Sequence, residues 1–335
     1  MKSLPSSAER LAVFHCDGAT KNEANFYNVV LPPLKTVKKL PFPSCLLAAD
    51  DLILLRHLGD SGFAMVDRKS GLDITHCRLV LEVELGRFHA ASLALKHYNP
   101  VEVSKISSLV NEIFIFKENA ILEPSVYHSI EMAVRVAKNP NSPVIDLLKA
   151  IQGRGFEVMS PLIAPSEPLA VVCHGDLWSN NLLFHYSEKD PQTPDKVCFL
   201  DMQLWRYASP SLDILYLLFT SAGVGVIKQH FQDLIVIYHQ ALMDQLGKIA
   251  PLAQLVTLND VKEDIRQHAI CGLIISLMSL PTVTAGDVIF KPDDVTQDLM
   301  QNKEFVDNLS QQIITDEYIR RVNDILEVYS SEGLI

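Results

Sequence analysis

The most constraining feature of this chain is the run His174-Gly175-Asp176-Leu177-Trp178-Ser179-Asn180-Asn181, followed further on by Asp201-Met202-Gln203. Leu182 to Tyr186 and Val197 to Leu200 are short apolar runs of strand composition. Between them, Ser187 to Lys196 carries two prolines among polar residues, which predicts an exposed loop. Paired antiparallel, the two strands set the residue before the first against the residue after the second. Asn181 and Asp201 then lie roughly 5 Å apart at one mouth of a hairpin. Asp176 is held on the loop that leads into Asn181.

One amide and two carboxylates gathered in this way suit phosphoryl transfer. Magnesium takes oxygen ligands and is usually held by one or two protein groups together with nucleotide phosphates. Asn181 and Asp201 offer an amide oxygen and a carboxylate. Asp176 stays free of metal, able to orient an acceptor hydroxyl and take its proton. The five-residue step from Asp176 to Asn181 matches the spacing between the base and the metal-binding asparagine of kinase catalytic loops. ATP and Mg2+ are the expected cofactors. The plainer alternative is a surface hairpin with solvated acids; three roles at the right spacing favour the first reading.

The 335 residues are enough for two lobes and a sizeable core. With 48% hydrophobic and 21% charged residues the chain is of folded, soluble type. A net charge of -11 argues against non-specific nucleic-acid binding, though not against a nucleotide. The six cysteines are scattered, with no CxxC pair and no zinc-type spacing, and most lie in apolar runs, so free, buried thiols in a reducing compartment are expected. Met1 to Pro5 has no signal-peptide core, and the longest apolar patch, Ala269 to Leu280, is too short to span a bilayer. These features predict a cytoplasmic protein with neither a nucleic-acid nor a membrane partner.

Along the chain, Lys2-Ser3-Leu4 reads as the end of a strand and Ala8 to Val30 as mostly helical, stopped by Pro32 and Pro33. Cys45 to Ala49 and Leu52 to Leu55 flank an Asp50-Asp51 hairpin turn, and Gly59 to Gly62 is a hinge-like break. Asp73 can cap a long helix with the apolar stripe Ile74, Cys77, Leu81, Leu85, Phe88, Ser92, Leu95. Further helical patterns cover 101–116, 124–138, 143–152, 211–221, 227–246, 259–279 and 314–330, with Gly223-Val224-Gly225 as a turn between helices. The expected architecture is α+β, with a small β-containing lobe over residues 1–58 and a large, mainly helical lobe over 59–335.

His174 to Asn181 with Asp201-Met202-Gln203 resembles the ecdysteroid kinase-like family, which is related to choline and aminoglycoside kinases. Lys2-Ser3-Leu4-Pro5, Glu23-Ala24-Asn25-Phe26-Tyr27, the stretch from Gly62 to Asp73, and Phe88 to Ser92 are similar to further motifs of that family in the same order. The resemblance implies a protein-kinase-like two-lobe fold. It also implies that Asp176 is the catalytic base and that Asn181 and Asp201 hold magnesium. Lys2 contacts the nucleotide phosphates with Glu23 as its ion-pair partner; a solvated lysine near a chain end is the plain alternative. Asp213 braces the catalytic loop by hydrogen bonds, or is a first-turn acid favoured by the helix dipole. His174 either donates to a backbone carbonyl or to Asp201, or is a packed, satisfied histidine; the residues alone favour packing. The implied acceptor is the hydroxyl of a small apolar molecule, an ecdysteroid or a xenobiotic alcohol.

The chain also departs from the family pattern. Members carry a segment ahead of the Lys2 strand, two strands joined by a nucleotide-covering loop, which this sequence lacks; the N-terminal lobe is expected to be truncated. Arg56-His57-Leu58 stands where Glu-Asp-Leu is usual, and Met202 replaces a phenylalanine. Two readings therefore stay open: an ATP- and Mg2+-dependent small-molecule kinase, and a catalytically impaired kinase-like binding protein or a truncated product of an active kinase.

Overall fold

The computed structural model describes residues 1–5, 7, 11, 14–35, 39–285 and 313–335. Its architecture is α+β. Among the described residues, eight strands form three small sheets: β1 (Lys2–Ser3), β2 (Cys45–Ala48), β3 (Leu52–Leu55), β4 (Phe63–Ala64), β5 (Val171–Cys173), β6 (Leu182–Ser187), β7 (Asp190–Phe199) and β8 (Arg206–Ala208). The sheet orders are β1-β3-β2, β4-β6-β7 and β5-β8, with every pairing antiparallel. The Asp50-Asp51 turn is present: the Ala49 N–H donates to the Leu52 carbonyl at 2.9 Å across it.

The first helix runs from Cys16 to Asn25, passes through a π-helical Phe26–Val30, and continues over Leu31–Lys35. Part of the expected helical start, at 8–10 and 12–13, lies outside the described residues. Pro32 and Pro33 do not stop the helix. They follow the π segment, whose wider turn, closed by the Leu31 N–H on the Phe26 carbonyl, has already left the regular i→i−4 ladder that a proline would break.

Asp73 does cap the next helix, accepting the His76 N–H at 2.9 Å. That helix continues from Ile74–Arg78 through a π-helical Leu79–Leu85 into Gly86–Tyr98. Asp73→Ala is expected to lower stability by about 1 kcal/mol, read by denaturant unfolding.

Two expectations fail for local reasons. The helical pattern predicted over 101–116 ends at Ser108. Beyond it Glu112 accepts the Phe114 and Ile115 N–H groups and Asn119 donates to the Phe114 carbonyl, so side chains take the backbone bonds a helix would need. The loop predicted over 187–196 is mostly strand, although Asp190 to Thr193 are exposed as expected. β7 is an edge strand, where Pro191 and Pro194 can sit without breaking a ladder.

The later helices include Leu122–Val136, Pro143–Ile151, Ser211–Ser221, Val226–Ile249, Leu258–Thr284 and Asp316–Ser331. Leu258–Thr284 is long and apolar enough to cross a membrane by length and composition. Ile265, Ala269, Leu273, Leu277 and Leu280 on it are buried, so it serves as a core helix. One continuous apolar core reaches from the first helix to the last. At its hub, the Phe42 ring meets Phe26, Phe88 and Phe199 edge-on at centroid distances of 4.9, 5.2 and 5.9 Å. These contacts bind the first helix and the long 74–98 helix to β7, and so fix the Asp201 segment beyond β7 in space.

Candidate active site

β5 is wholly buried and delivers the chain to His174 at the mouth of the β6–β7 hairpin. Gly175 comes next with φ 83°, a left-handed conformation. Its α-carbon lies so near the 202–204 turn that a Cβ there would stand 1.8 Å from the Leu204 carbonyl oxygen. This close approach sets the Asp176 loop against the Asp201 segment.

Asp176 is gripped on both carboxylate oxygens. Asn181 Nδ2 donates to Oδ2 at 2.9 Å and also to the Asp176 carbonyl at 2.8 Å. The Tyr216 hydroxyl donates to Oδ1 at 2.9 Å. Burial in the cleft raises the Asp176 carboxyl above its ordinary range, and the charge of Asp201 pushes the same way. The two carboxylates therefore share one electrostatic neighbourhood.

The pairing at the hairpin mouth is one residue off the expected register. Leu200, not Asp201, faces Asn181, its N–H donating to the Asn181 carbonyl at 2.9 Å. Asp201 comes one step later with φ 64° and ψ 68°. A non-glycine residue held there costs free energy, and such residues gather at functional sites.

His174 links the two segments. Its Nδ1 accepts the Asp176 N–H at 3.2 Å, so Nε2 carries the proton and donates to the Leu200 carbonyl at 2.8 Å. Of the partners considered from sequence, the backbone carbonyl is the one it takes. The His174 ring is both buried and a tie between the two site-bearing segments.

Lys2 reaches the same place from β1. Its ammonium donates to Asp201 Oδ1 at 2.5 Å, to Glu23 Oε2 at 2.9 Å and to Gln203 Oε1 at 3.2 Å. Burial works to lower the Lys2 pKa, but the Asp201 and Glu23 carboxylates outweigh it and hold it raised. Glu23 is 1% exposed; burial pushes its carboxyl up against the opposing pull of Lys2. Asn22 donates to the Gln203 carbonyl at 3.0 Å and Trp205 Nε1 donates to the Asn22 carbonyl at 2.9 Å, locking the first helix onto the 201–205 segment.

Asp213, 1% exposed on the Ser211–Ser221 helix, accepts the His174 N–H at 2.7 Å and the Gly175 N–H at 2.9 Å. His89 adds a contact at 3.3 Å and is itself held by the Tyr238 hydroxyl at 2.8 Å. Burial alone would raise the Asp213 carboxyl, but these donors, His89 foremost, hold it below its ordinary value. His89, Cys173 and Asp213 also place ligand-type atoms within 4.8 Å of one another. The Asp213 oxygens there are already taken by N–H donors, so the cluster is a hydrogen-bond network bracing the loop.

All seven residues singled out from sequence thus meet in one region. Tyr216 and Gln203 were not among them. Tyr216 had a usable signal, since it lies three residues beyond Asp213 on a helix and so shares its face. Gln203 had none beyond its place after Asp201. Asn181 Oδ1 and Asp201 Oδ2 accept no hydrogen bond among the described residues, which leaves one hard oxygen atom on each, that of Asp201 beside the Lys2 ammonium. That donor set fits a magnesium ion carrying phosphates.

Fold and site together define a kinase-like protein. The chain belongs to the ecdysteroid kinase-like family, whose family model matches residues 1–250. Among solved structures it is similar to an ethanolamine kinase from Plasmodium vivax, at 14% identity and a TM-score of 0.41 over 96% of this chain and 74% of that one. It is also similar to the GDP complex of an aminoglycoside 2'-phosphotransferase IIIa variant, at 15% identity and a TM-score of 0.38 over 94% of this chain and 84% of that one. No curated protein matches.

Proposed function

We propose that this protein transfers the terminal phosphoryl group of ATP to the hydroxyl of a small apolar molecule, with an ecdysteroid or a xenobiotic alcohol as the favoured acceptor. The carrying observation is that Asn181 grips Asp176 while Asp201 holds Lys2 of the Lys2–Glu23 pair, on two segments that His174 ties together. Asn181 and Asp201 would hold the magnesium ion, which when bound neutralises the phosphates. Lys2 would contact those phosphates in place of its present bond to Asp201. Asp176 orients the acceptor oxygen and takes its proton as that oxygen bonds to phosphorus and ADP leaves. Asp213 and His174 keep the loop in register with the Asp201 segment. In this reading residues 1–58 form the smaller lobe and 59–335 the larger. The six free cysteines suit a reducing compartment, and the cytoplasm is the proposed location.

The test is incubation with Mg-ATP and a panel of steroid and xenobiotic alcohols, with phosphate esters detected by mass spectrometry. Phosphorylation of an apolar alcohol is expected; a chain that neither binds Mg-ATP nor phosphorylates any member contradicts the proposal. Asp201→Asn is expected to weaken Mg2+-dependent nucleotide binding by roughly tenfold or more, since even outer partners of metal ligands typically matter that much. Calorimetric titration with and without Mg2+ reads it, and nucleotide affinity unchanged by the substitution would remove Asp201 from the metal site.

A further inference from the structure

Asp176 is held on two sides, and only one of them belongs to the expected metal. The Oδ2 side is tied to Asn181, which places it toward the ion and nucleotide. The Oδ1 side is tied to Tyr216, which is rooted in a fully buried helix and is itself 9% exposed. The Tyr216 hydroxyl also lies 3.1 Å from Ser279 Oγ, on the Leu258–Thr284 helix. The Ile275 carbonyl lies 2.9 Å from the same Ser279 oxygen and is its alternative acceptor.

We infer that Tyr216 is a positioning residue that keeps Asp176 turned toward the incoming acceptor, with Ser279 seating its hydroxyl; this rests on the phosphotransfer reading above. The proton count supports it. A phenol has one proton, and the carboxylate is its stronger acceptor because charge-assisted hydrogen bonds exceed neutral ones. Ser279 seats the phenol by turning its single proton to the phenol oxygen at 3.1 Å rather than to the Ile275 carbonyl at 2.9 Å. A carboxylate oxygen has two acceptor directions, so Oδ1 bonded to Tyr216 keeps one for an acceptor hydroxyl. Without the phenol, only the Asn181 bond resists rotation of the Asp176 side chain. Burial and the Asp176 charge both raise the Tyr216 pKa, so the phenol keeps its proton.

The test is a double-mutant cycle on intrinsic Mg-ATP hydrolysis, with water as the acceptor. Tyr216→Phe keeps the ring and removes one oxygen. Its kcat is expected to fall about 10–100-fold with KM for ATP unchanged, while the lost buried hydrogen bond lowers the melting temperature by a few degrees. In an Asp176→Asn background the same substitution is expected to cost nothing further, because Tyr216 acts through Asp176. An equal loss in both backgrounds, or wild-type kcat in Tyr216→Phe, overturns the inference. Wild-type kcat in Asp176→Asn alone overturns the phosphotransfer reading instead. Should Tyr216→Phe fail to fold, Ser279→Ala carries the test, with an expected loss of about threefold that requires Asp176; wild-type kcat there overturns the inference.

Discussion

Asp176→Asn is expected to lower phosphoryl transfer by about 10²–10⁴-fold, the usual contribution of a positioned general base, while leaving Mg-ATP affinity close to wild type. The substitution exchanges one oxygen for an NH2 group of the same size. The new amide can keep its oxygen toward Asn181 Nδ2 and turn its NH2 toward the oxygen of Tyr216, which can accept as well as donate. The loop geometry therefore survives, and what is lost is the atom that takes the proton. The metal-side oxygens of Asn181 and Asp201 are untouched. Single-turnover rates and calorimetric Mg-ATP binding separate the two effects. Full turnover in the variant would exclude Asp176 as the base.

The largest structural effect is expected from Gly175→Ala. An alanine there must adopt φ near 83° and bring its Cβ to 1.8 Å from the Leu204 carbonyl oxygen. Neither side can yield cheaply. Asp213 holds the N–H groups of His174 and Gly175. Across the gap, Asn22 and the Trp205 indole pin the 203–205 segment to the first helix. The expected loss is about 3 kcal/mol or more, in the range reserved for backbone collisions in packed regions. Gly153→Ala is the control, because that glycine also has positive φ (78°) but nothing within 4 Å of the added carbon. Only the conformational cost, about 1 kcal/mol, applies there. Equal destabilisation of the two variants, compared by denaturant unfolding, would mean that the loop packing has been misjudged.

Much of this site was legible because its chemistry is local in sequence. Asp176 and Asn181 sit five residues apart on one loop, and Asp201 is brought back by a hairpin whose apolar strands are plain to read. The meeting of Lys2 with Glu23 came from family resemblance rather than from any pattern in the residues themselves. The register at the hairpin mouth was off by one, since no sequence rule signals that Asp201 takes a left-handed conformation beyond Leu200. The length of β7 was hidden by its two prolines, which argue against a strand unless the strand is known to lie at a sheet edge. The continuation of the first helix past Pro32 was hidden by a π segment, a feature that periodicity at 3.6 residues does not register. Tyr216 was masked by its apolar surroundings in a helix whose every residue is buried; only its spacing from Asp213 set it apart.

We propose that Asn181 and Asp201 hold a metal-bound triphosphate while Asp176 stands free to receive the acceptor. A crystal structure with Mg2+ and a non-hydrolysable ATP analogue tests it most directly. The expected result is a magnesium ion about 2.1 Å from Asn181 Oδ1 and from an Asp201 oxygen, with Asp176 outside the coordination shell and Lys2 on a phosphate. A metal bound by Asp176, or a nucleotide seated away from these three side chains, contradicts it.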